Sequence, residues 1–294
     1  RGRQLRLEQA GQRSQKAYGS YDALLADDAI DLVYVALPHS YHYEWTIKAL
    51  RAGKNVLCEK PLAVNAAQAQ EMIALAEAKN LLLAEAMWTR YLPSAQIITD
   101  IIASGIIGEV MTVSANIGFR IDMNDRLTNP ALAGGCLLDL TVYALNFSAM
   151  IMGTDVKRIA ASMVPTATGV DGQNTVMLEY DGGKMASLFS TMYTLTDRNG
   201  LICGREGYIA VQNVISPEKI TIYGANRGSY DVKREIVPPA QITGFEYELL
   251  ACRKAIAEGR TECPEMPHAE TLAIMRQADE IRRQFGIVYP FERL

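Results

Sequence analysis

The sequence has few cysteines and no paired cysteine motif. Its five cysteines are widely scattered, and no histidine stands near them in an arrangement typical of a zinc site or a nucleophile. Disulfide frameworks and zinc sites use characteristic cysteine spacings, which are missing here. We therefore expect free thiols in a reducing, cytoplasmic compartment and no metal site. The cysteines are Cys58, Cys136, Cys203, Cys252 and Cys263.

A strong excess of charge is also missing, because the net charge is only −4 and charged residues make up 21% of the chain. No apolar run approaches the length of a membrane span. We therefore expect neither nucleic acid nor a membrane as a partner. A length of 294 residues with 49% hydrophobic residues is typical of a globular protein with one large or two ordinary domains.

The stretch Cys58-Glu59-Lys60-Pro61-Leu62 follows a short apolar run, 55–57, which Gly53 precedes. The run predicts a buried strand, and Pro61 cannot continue its hydrogen-bond ladder. Glu59 and Lys60 therefore stand at the end of a strand, where open α/β sheets bind their ligands. A buried lysine there has mobile donors and a pKa that falls on burial. The alternative is an exposed ion pair at a strand end.

The first part of the chain alternates apolar strands with helices, which predicts a parallel sheet. Pro38 ends the first of these strands, and His39 and His42 follow it. A His-x-x-His pair suggests a metal, but no cysteine or carboxylate with ligand spacing completes the set. We expect His42 to begin a helix and to face the crevice. The predicted elements are strands over 30–37, 55–57 and 81–84 and helices over 43–52 and 66–79.

From Glu109 the pattern changes to consecutive strands with short turns, which predicts a largely antiparallel sheet. We place the boundary near Met87, between an α/β domain over residues 1–86 and an α+β domain over residues 87–294. The predicted strands cover 110–119, 157–163, 174–180, 184–192, 207–212 and 219–223. Helices are predicted over 93–104, 244–258 and 268–285, and a last strand or extended tail over 287–289.

The apolar segment 134–143 predicts a helix within this strand region. Asp139 and Tyr143 are four positions apart on it and share a face. A buried aspartate needs a partner, and Lys60 is the candidate. The alternative is a helix start with a hydrogen-bonded core tyrosine. Trp88 and Arg90 alternate on a segment predicted to be extended, so both face one way; the alternative is a core Trp beside a surface Arg.

Several of these segments together resemble the Gfo/Idh/MocA family of pyridine-nucleotide oxidoreductases. The family pattern is a strand ending in Pro-x-x-x-His, a helix ending Ala-Leu-x-x-Gly-Lys, a second strand and Glu-Lys-Pro. The matching residues are 38–42, 49–54, 55–57 and 59–61. The segments 87–93 and 267–271 resemble the dihydrodiol dehydrogenase and xylose dehydrogenase branch of the family.

This resemblance implies a Rossmann-type nucleotide-binding domain and hydride transfer between a nicotinamide, NADP or NAD, and a carbinol carbon of a sugar or dihydrodiol. It implies that Tyr143 is the general acid/base, with Lys60 as its electrostatic partner and Asp139 holding Lys60. Cys136 and Thr141 stand where the family pattern of this segment has glycine, and Thr141 is expected to narrow the pocket. The implied cofactor-binding residues are Leu37, Pro38, His39, His42, Glu59, Lys60, Trp88 and Arg90.

No Gly-x-Gly-x-x-Gly or Gly-x-Gly-x-x-Ala motif precedes Tyr18. By the resemblance, the basic segment 1–20 follows the second strand of the nucleotide-binding domain, so we expect a further β-α-β unit upstream. Arg1 and Arg3 would then lie where an arginine accommodates the 2′-phosphate of NADP. The alternative is a solvated basic helix face.

Two further functions stay open at this point. One is glycoside cleavage through transient oxidation by bound NAD, and the other is a non-catalytic nucleotide-binding relative. The resemblance also implies a homodimer, or a tetramer of such dimers. A sheet with helices on only one side leaves its other face to be covered by a second subunit. The resemblance implies a cis Lys60–Pro61 peptide bond as well.

Overall fold

The computed structural model describes residues 16–226 and 229–292. Arg1 and Arg3, the residues predicted to contact a 2′-phosphate, lie outside the described residues. Two sheets organise the described part of the chain: one has three strands and the other has eight.

The three-stranded sheet is parallel and has the order β1-β2-β3. Its middle strand carries three consecutive buried apolar residues, as a sheet covered on both faces requires. The strand runs two residues further than predicted, so that Glu59 is its last residue. The strands are β1 (Leu32–Val35), β2 (Asn55–Glu59) and β3 (Leu83–Ala86).

Helices connect these strands in the predicted places. The Asn65 side chain accepts a hydrogen bond from the Gln68 backbone at 2.9 Å and caps the third helix. Gly53 follows the second helix with a φ of 77°, which favours glycine. The helices are α1 (Tyr21–Leu25), α2 (His42–Arg51), α3 (Ala66–Ala78) and α4 (Pro93–Ala103).

The eight-stranded sheet has the order β11-β10-β9-β8-β4-β7-β6-β5. Its pairs are antiparallel except β4 with β7. The strands are β4 (Val110–Gly118), β5 (Arg158–Pro165), β6 (Asp171–Tyr180), β7 (Lys184–Thr191), β8 (Gly200–Gly204), β9 (Gly207–Gln212), β10 (Lys219–Asn226) and β11 (Ser229–Ile236).

Strands β8 and β11 were not predicted from the sequence. Strand β8 is short and has glycine at both ends, and β11 is an edge strand rich in charged residues. Neither pattern carries the alternation of apolar residues that predicts a strand. Of the two alternatives predicted for residues 287–289, the strand is wrong, because that segment leads into a 3-10 turn, Pro290–Glu292, without pairing.

Four further helices belong to the second half of the chain: α5 (Asp125–Thr128), α6 (Val142–Met152), α7 (Glu246–Ala257) and α8 (His268–Phe285). Helix α6 packs across β4 and β7, and α8 packs across β5 and α3. Because α8 contacts elements of both halves, the boundary between residues 86 and 87 stays a prediction.

The expectation about apolar runs is wrong for one segment. Among the described residues, Pro130–Met152 is long and apolar enough by composition to cross a membrane, with a mean hydropathy of 1.5. However, 78% of its apolar window is buried inside the fold. The core helix of a globular protein has the same composition, and this helix covers the large sheet.

Candidate active site

The turn after β2 presents Lys60 at the carboxyl edge of the parallel sheet. The Lys60–Pro61 peptide bond is cis, as predicted. The turn is fixed on both sides, since the Leu62 amide donates to the Glu85 carboxylate at 3.1 Å and His42 Nδ1 lies 2.8 Å from the Pro61 carbonyl. The Lys60 side chain is only 11% exposed.

The second segment of the site is a π-helical turn, Leu137–Thr141, that leads directly into α6. The Val142 amide donates to the Leu137 carbonyl, five residues back, instead of four as in an α-helix. Asp139 lies in the middle of this turn and Tyr143 follows it. The sequence predicted the helix, but not its widened first turn.

Lys60, Asp139 and Tyr143 come together although Lys60 and Asp139 are 79 positions apart along the chain. Lys60 Nζ donates to the Asp139 carbonyl at 2.6 Å and to its Oδ1 at 3.3 Å. The same Nζ lies 4.6 Å from the centre of the Tyr143 ring. Trp88 Nε1 donates to the Tyr143 hydroxyl at 3.2 Å.

The electrostatics of the three groups differ in part from the expectation. Burial opposes charge on Lys60, but Tyr143, Asp139 and Glu59 together raise the pKa of Lys60 above its ordinary value. Burial raises the pKa of Tyr143, and the Lys60 charge offsets this only in part. The expected fall of the Lys60 pKa on burial is therefore wrong, and the net pKa of the Tyr143 phenol is not lowered. The site holds a charged amine beside a neutral phenol.

Asp139 remains ionised in spite of its burial. Lys60 and Arg126 hold the pKa of this carboxyl well below its usual range. Arg126 Nη1 donates to Asp139 Oδ1 at 3.0 Å. Nothing in the sequence around α5 pointed to Arg126, because only the fold brings it to Asp139.

His39 lies beneath this cluster and is 3% exposed. Its Nδ1 donates to the Ala133 carbonyl at 2.9 Å, and its Nε2 is 3.8 Å from Asp139 Oδ1. Burial lowers the pKa of His39 far below its ordinary value, so the ring is neutral. His39 thus lies beside Asp139 as a neutral ring, with Arg126 Nη1 3.5 Å from its Nε2, and its predicted contact with a cofactor stays a prediction.

His42 begins α2 as predicted, but it does not face an open crevice. It is fully buried, and its ring nitrogens lie 2.8 Å from the carbonyls of Pro61 and Leu37. The ring links the end of β1 to the turn that carries Lys60. No ring nitrogen is left to face a cofactor in this geometry, so the expectation that His42 faces the crevice is wrong.

The segment containing Trp88 and Arg90 is a 3-10 turn, so the expectation of an extended segment is wrong. Trp88 packs against Phe245 with ring centroids 4.9 Å apart, and this pair walls the site beside Tyr143. Arg90 Nη2 donates to Glu270 at 2.7 Å. A cavity of about 20 Å³, room for about one water, lies between Arg90 and Tyr143.

The remaining predicted cofactor contacts lie at the carboxyl ends of β1 and β2. The Leu37 carbonyl lies against His42, and Pro38 precedes the short turn His39–Tyr41. Glu59 accepts hydrogen bonds from the Tyr34 hydroxyl and from the Lys60 amide. Cofactor contacts by these residues stay predictions.

Lys60 keeps donor capacity at this edge. An ammonium has three donors, and within the described residues Lys60 Nζ makes two hydrogen bonds, both to oxygens of Asp139. A further N–H is thus available for a substrate oxygen beside Tyr143. Across residues 16–226 and 229–292, no group of three histidine, cysteine or carboxylate side chains could hold a metal ion.

Family comparisons agree with this fold. Residues 3–87 match the oxidoreductase family with an NAD-binding Rossmann fold, GFO_IDH_MocA. Residues 95–210 match the GFO/IDH/MocA C-terminal domain. The chain belongs to the Gfo/Idh/MocA family of oxidoreductases, as its sequence motifs predicted, and the predicted fold class is confirmed.

Curated relatives include trans-1,2-dihydrobenzene-1,2-diol dehydrogenases from vertebrates. The protein from Xenopus tropicalis is 36% identical over 279 residues, which is 94% of this chain and 84% of the relative. The protein from Mus musculus is 31% identical over 95% of this chain and 84% of its own length.

Solved structures with the same fold include a ketoreductase and an aldose oxidoreductase. One is KijD10, a 3-ketoreductase from Actinomadura kijaniata in complex with NADP and TDP-benzene; it is 26% identical, covers 96% of this chain and 85% of its own, and has a TM-score of 0.83. The other is an aldose-aldose oxidoreductase from Caulobacter crescentus complexed with glycerol; it is 25% identical with a TM-score of 0.83, over 96% of this chain and 86% of its own.

Proposed function

We propose that this oxidoreductase is an NADP-dependent dehydrogenase that interconverts a secondary alcohol and a ketone on a sugar or dihydrodiol. The observation that carries this proposal is the contact of the Lys60 ammonium with both the Asp139 carboxylate and the Tyr143 ring. It supports a site in which a proton carrier and a fixed positive charge both face the substrate oxygen. The relatives named above act on diols and sugars, which supports the substrate class.

The nicotinamide cofactor would supply hydride transfer, and the protein's side chains would handle the proton. The neutral Tyr143 phenol can give its proton to a substrate oxygen, and Trp88 orients its hydroxyl through a hydrogen bond of 3.2 Å. In the opposite direction, the Lys60 charge favours the phenolate form that must accept the proton. Lys60 would also donate to the substrate oxygen, while Asp139 keeps the amine charged and oriented.

The direct test is turnover by the purified protein with NADP or NAD and a panel of aldoses, glycerol and trans-dihydrodiols. We expect one reduced nicotinamide for each ketone or lactone formed. Tyr143→Phe should form product more slowly than the wild type. Sugar release from a glycoside without net cofactor reduction would instead indicate a hydrolase. Cofactor binding without turnover of any substrate would favour a non-catalytic relative.

We expect a preference for NADP over NAD, because Arg1 and Arg3 fit recognition of a 2′-phosphate by guanidinium groups. Replacing both with Ala should raise the KM for NADP and leave the KM for NAD unchanged. Equal efficiency of the unmodified protein with the two cofactors would contradict this preference.

We also propose that the protein is a homodimer formed through the outer face of the eight-stranded sheet. The strand register places Met177, Met185, Leu201, Tyr230 and Val232 on one face, each at least 37% exposed. Exposed apolar surface of this kind favours a second protein surface. Light scattering should give a dimer or a tetramer, and Leu201→Glu should shift it toward the monomer; a monomeric wild type would contradict the proposal.

A cytoplasmic location remains part of the proposal. Its support is that the five cysteines form no disulfide bond among the described residues. Fractionation of cells that express the protein from its intact native gene would test this location. Recovery of the protein from outside the cells would contradict it.

A further inference from the structure

A buried aspartate from the large sheet holds the start of the helix that carries Asp139 and Tyr143. Asp171 is the first residue of β6 and is 1% exposed. Its Oδ2 accepts a hydrogen bond from the Leu137 amide at 2.7 Å. The first amides of a helix have no partner within the helix, so this carboxylate supplies one from a neighbouring strand.

The same carboxylate oxygen is linked to the other end of the π-turn through two more side chains. Asn174 Nδ2 donates to Asp171 Oδ2 at 2.7 Å. The Thr141 hydroxyl lies 3.0 Å from Asn174 Oδ1 and 3.3 Å from the Cys136 carbonyl, and it shares its proton between them. Asn174 is 2% exposed and Thr141 is fully buried. The three side chains therefore connect β6 to both ends of the turn.

Thr141 thus points into the protein core, so the expectation that it narrows the substrate pocket is wrong. Its hydroxyl hydrogen-bonds to the Cys136 carbonyl. In an α-helical turn that carbonyl would instead accept a hydrogen bond from the backbone amide four residues on. This competition favours the wider turn that the structure shows. Thr141 lies between Asp139 and Tyr143 in sequence, so any change in the turn changes the angle between those two side chains.

The arrangement depends on Gly135 and leaves one oxygen without a partner. A Cβ at Gly135 would overlap Asp171 Oδ1, and the φ of Gly135 is 118°. In the part of the chain that the structure describes, Asp171 Oδ1 has no hydrogen-bond partner. Burial raises the pKa of Asp171 to about 7. A buried, half-satisfied carboxyl is costly to stability, so its hydrogen bond to the helix start must offset part of that cost.

We propose that Asp171, Asn174 and Thr141 are positioning residues that hold the π-turn in the geometry that directs both Asp139 and Tyr143 at Lys60. The inference rests on the proposed function of that site. Conversion of the turn to α-helical geometry would change the angle between the two side chains, because an α-helix turns about 100° per residue and a π-turn turns less. Tyr143 would then shift relative to the amine that Asp139 holds.

The test compares Thr141→Val with Thr141→Ser. Valine keeps the shape of threonine and removes the hydroxyl, whereas serine keeps the hydroxyl. We expect Thr141→Val to lower kcat by at least about tenfold, with little change in the cofactor KM, because cofactor contacts lie on other elements. Its apparent catalytic pKa should rise as Tyr143 leaves the field of Lys60. Thr141→Ser should restore most of kcat.

Ser148→Ala is the matched control. Ser148 lies on α6 and hydrogen-bonds at 3.0 Å to the hydroxyl of Tyr180 on β6, so its removal breaks a buried bond between the same helix and the same strand. We expect a similar loss of Tm and no change in kcat or in the pH profile. A kcat for Thr141→Val equal to that of the wild type, or a loss equal to that of Ser148→Ala, would overturn the proposal.

A second readout separates this proposal from the proposed function. Amide hydrogen exchange should speed up across residues 137–143 in Thr141→Val and stay unchanged there in Ser148→Ala. This result decides the positioning role even if the wild type turns over none of the tested substrates, an outcome that would count against the proposed function alone. Unchanged exchange across 137–143 in Thr141→Val would overturn the positioning role.

Discussion

The two segments that meet at the active site are each held by a buried carboxyl group. The two carboxyl groups differ in how many of their oxygens accept a hydrogen bond. The Lys60 turn is fixed by Glu85, whose Oε1 accepts the Leu62 amide at 3.1 Å and whose Oε2 accepts the Thr271 hydroxyl at 2.7 Å. The π-turn is fixed by Asp171, which uses only one of its oxygens. Both carboxyls are buried, and burial raises the pKa of each.

This difference separates a rigid side of the site from a less stable one. The Lys60 turn follows a buried strand and is supported by a carboxylate whose two oxygens are both hydrogen-bonded. The opposite segment is a widened helical turn that depends on a half-satisfied carboxyl. We therefore expect substitution of Glu85, which supports the Lys60 turn, to act mainly on folding. Substitutions among the side chains that hold the π-turn should act mainly on catalytic geometry.

The largest effect is expected where the two segments meet. Tyr143→Phe removes one oxygen from the proton carrier and should lower kcat by about 10²–10⁴-fold, the usual value of general acid–base catalysis. Lys60→Met should cost at least as much, because it also removes the charge that orients Asp139. Cofactor titration and thermal melts check that binding and folding of Tyr143→Phe are unchanged. Wild-type turnover by Tyr143→Phe would exclude Tyr143 as the proton carrier.

The two supporting carboxyls should differ in their contributions to stability. Glu85→Ala leaves a buried amide and a buried hydroxyl without partners, for an expected loss of about 3 kcal/mol in unfolding free energy. Asp171→Ala should cost less, about 1–2 kcal/mol, since it also removes an unsatisfied oxygen. Denaturant unfolding of both variants measures the difference. Equal losses would show that the unpartnered Oδ1 carries no energetic penalty.

A smaller effect is expected at Arg126, the second cation on Asp139. Its side chain is 37% exposed, so solvent weakens its interaction with the carboxylate. Arg126→Ala should lower kcat by about three- to tenfold while Lys60 still holds Asp139. Arg205→Ala, which removes an exposed arginine paired with Glu109, is the control and should leave kcat unchanged. A loss as large as that of Lys60→Met would mean that Arg126 contacts the substrate itself.

The last expected effect is a change in the pH dependence of stability, which leaves kcat out of the comparison. Because the folded-state pKa of Asp171 is raised from 3.8 to about 7, the folded protein holds an extra proton between these values. The stability linked to that proton is present below pH 4 and is lost as pH rises through 7. Asp171→Asn should therefore gain stability relative to wild type as pH rises across this window.

Taking the difference between Asp171→Asn and the wild type removes the contributions of the other titrating groups. The slope of that difference should be positive and at most about 1.4 kcal/mol per pH unit. Urea unfolding at a series of pH values measures it. A flat difference between pH 4 and pH 7 would show that Asp171 ionises in the folded protein as it does in the unfolded chain.

The parts of the fold that could be predicted from sequence are those with strong local patterns. The apolar run before Glu59, the capping Asn65 and Gly53 at the end of α2 each set their element through short-range chemistry. The pairing of Lys60 with Asp139 was also predictable, since a buried aspartate in an apolar helix requires a cation. Strands β8 and β11 were missed because glycines and charged residues hide their alternation.

The supports of the site could not be predicted, because they depend on contacts between distant residues. Arg126, Glu85 and Asp171 stand in segments without a recognisable motif, and only the fold brings them to the catalytic segments. The pKa of Tyr143 could not be predicted for a related reason. A sequence shows the nearby lysine, but it does not show how far burial opposes the phenolate.

The most direct test of the account is a double-mutant cycle on Lys60 and Tyr143. If the two side chains form one proton-transfer unit, the kcat of the double variant Lys60→Met/Tyr143→Phe should lie close to the kcat of the less active single variant. A kcat equal to the product of the two single losses would show that they act independently, and it would contradict a shared proton-transfer role for the two segments.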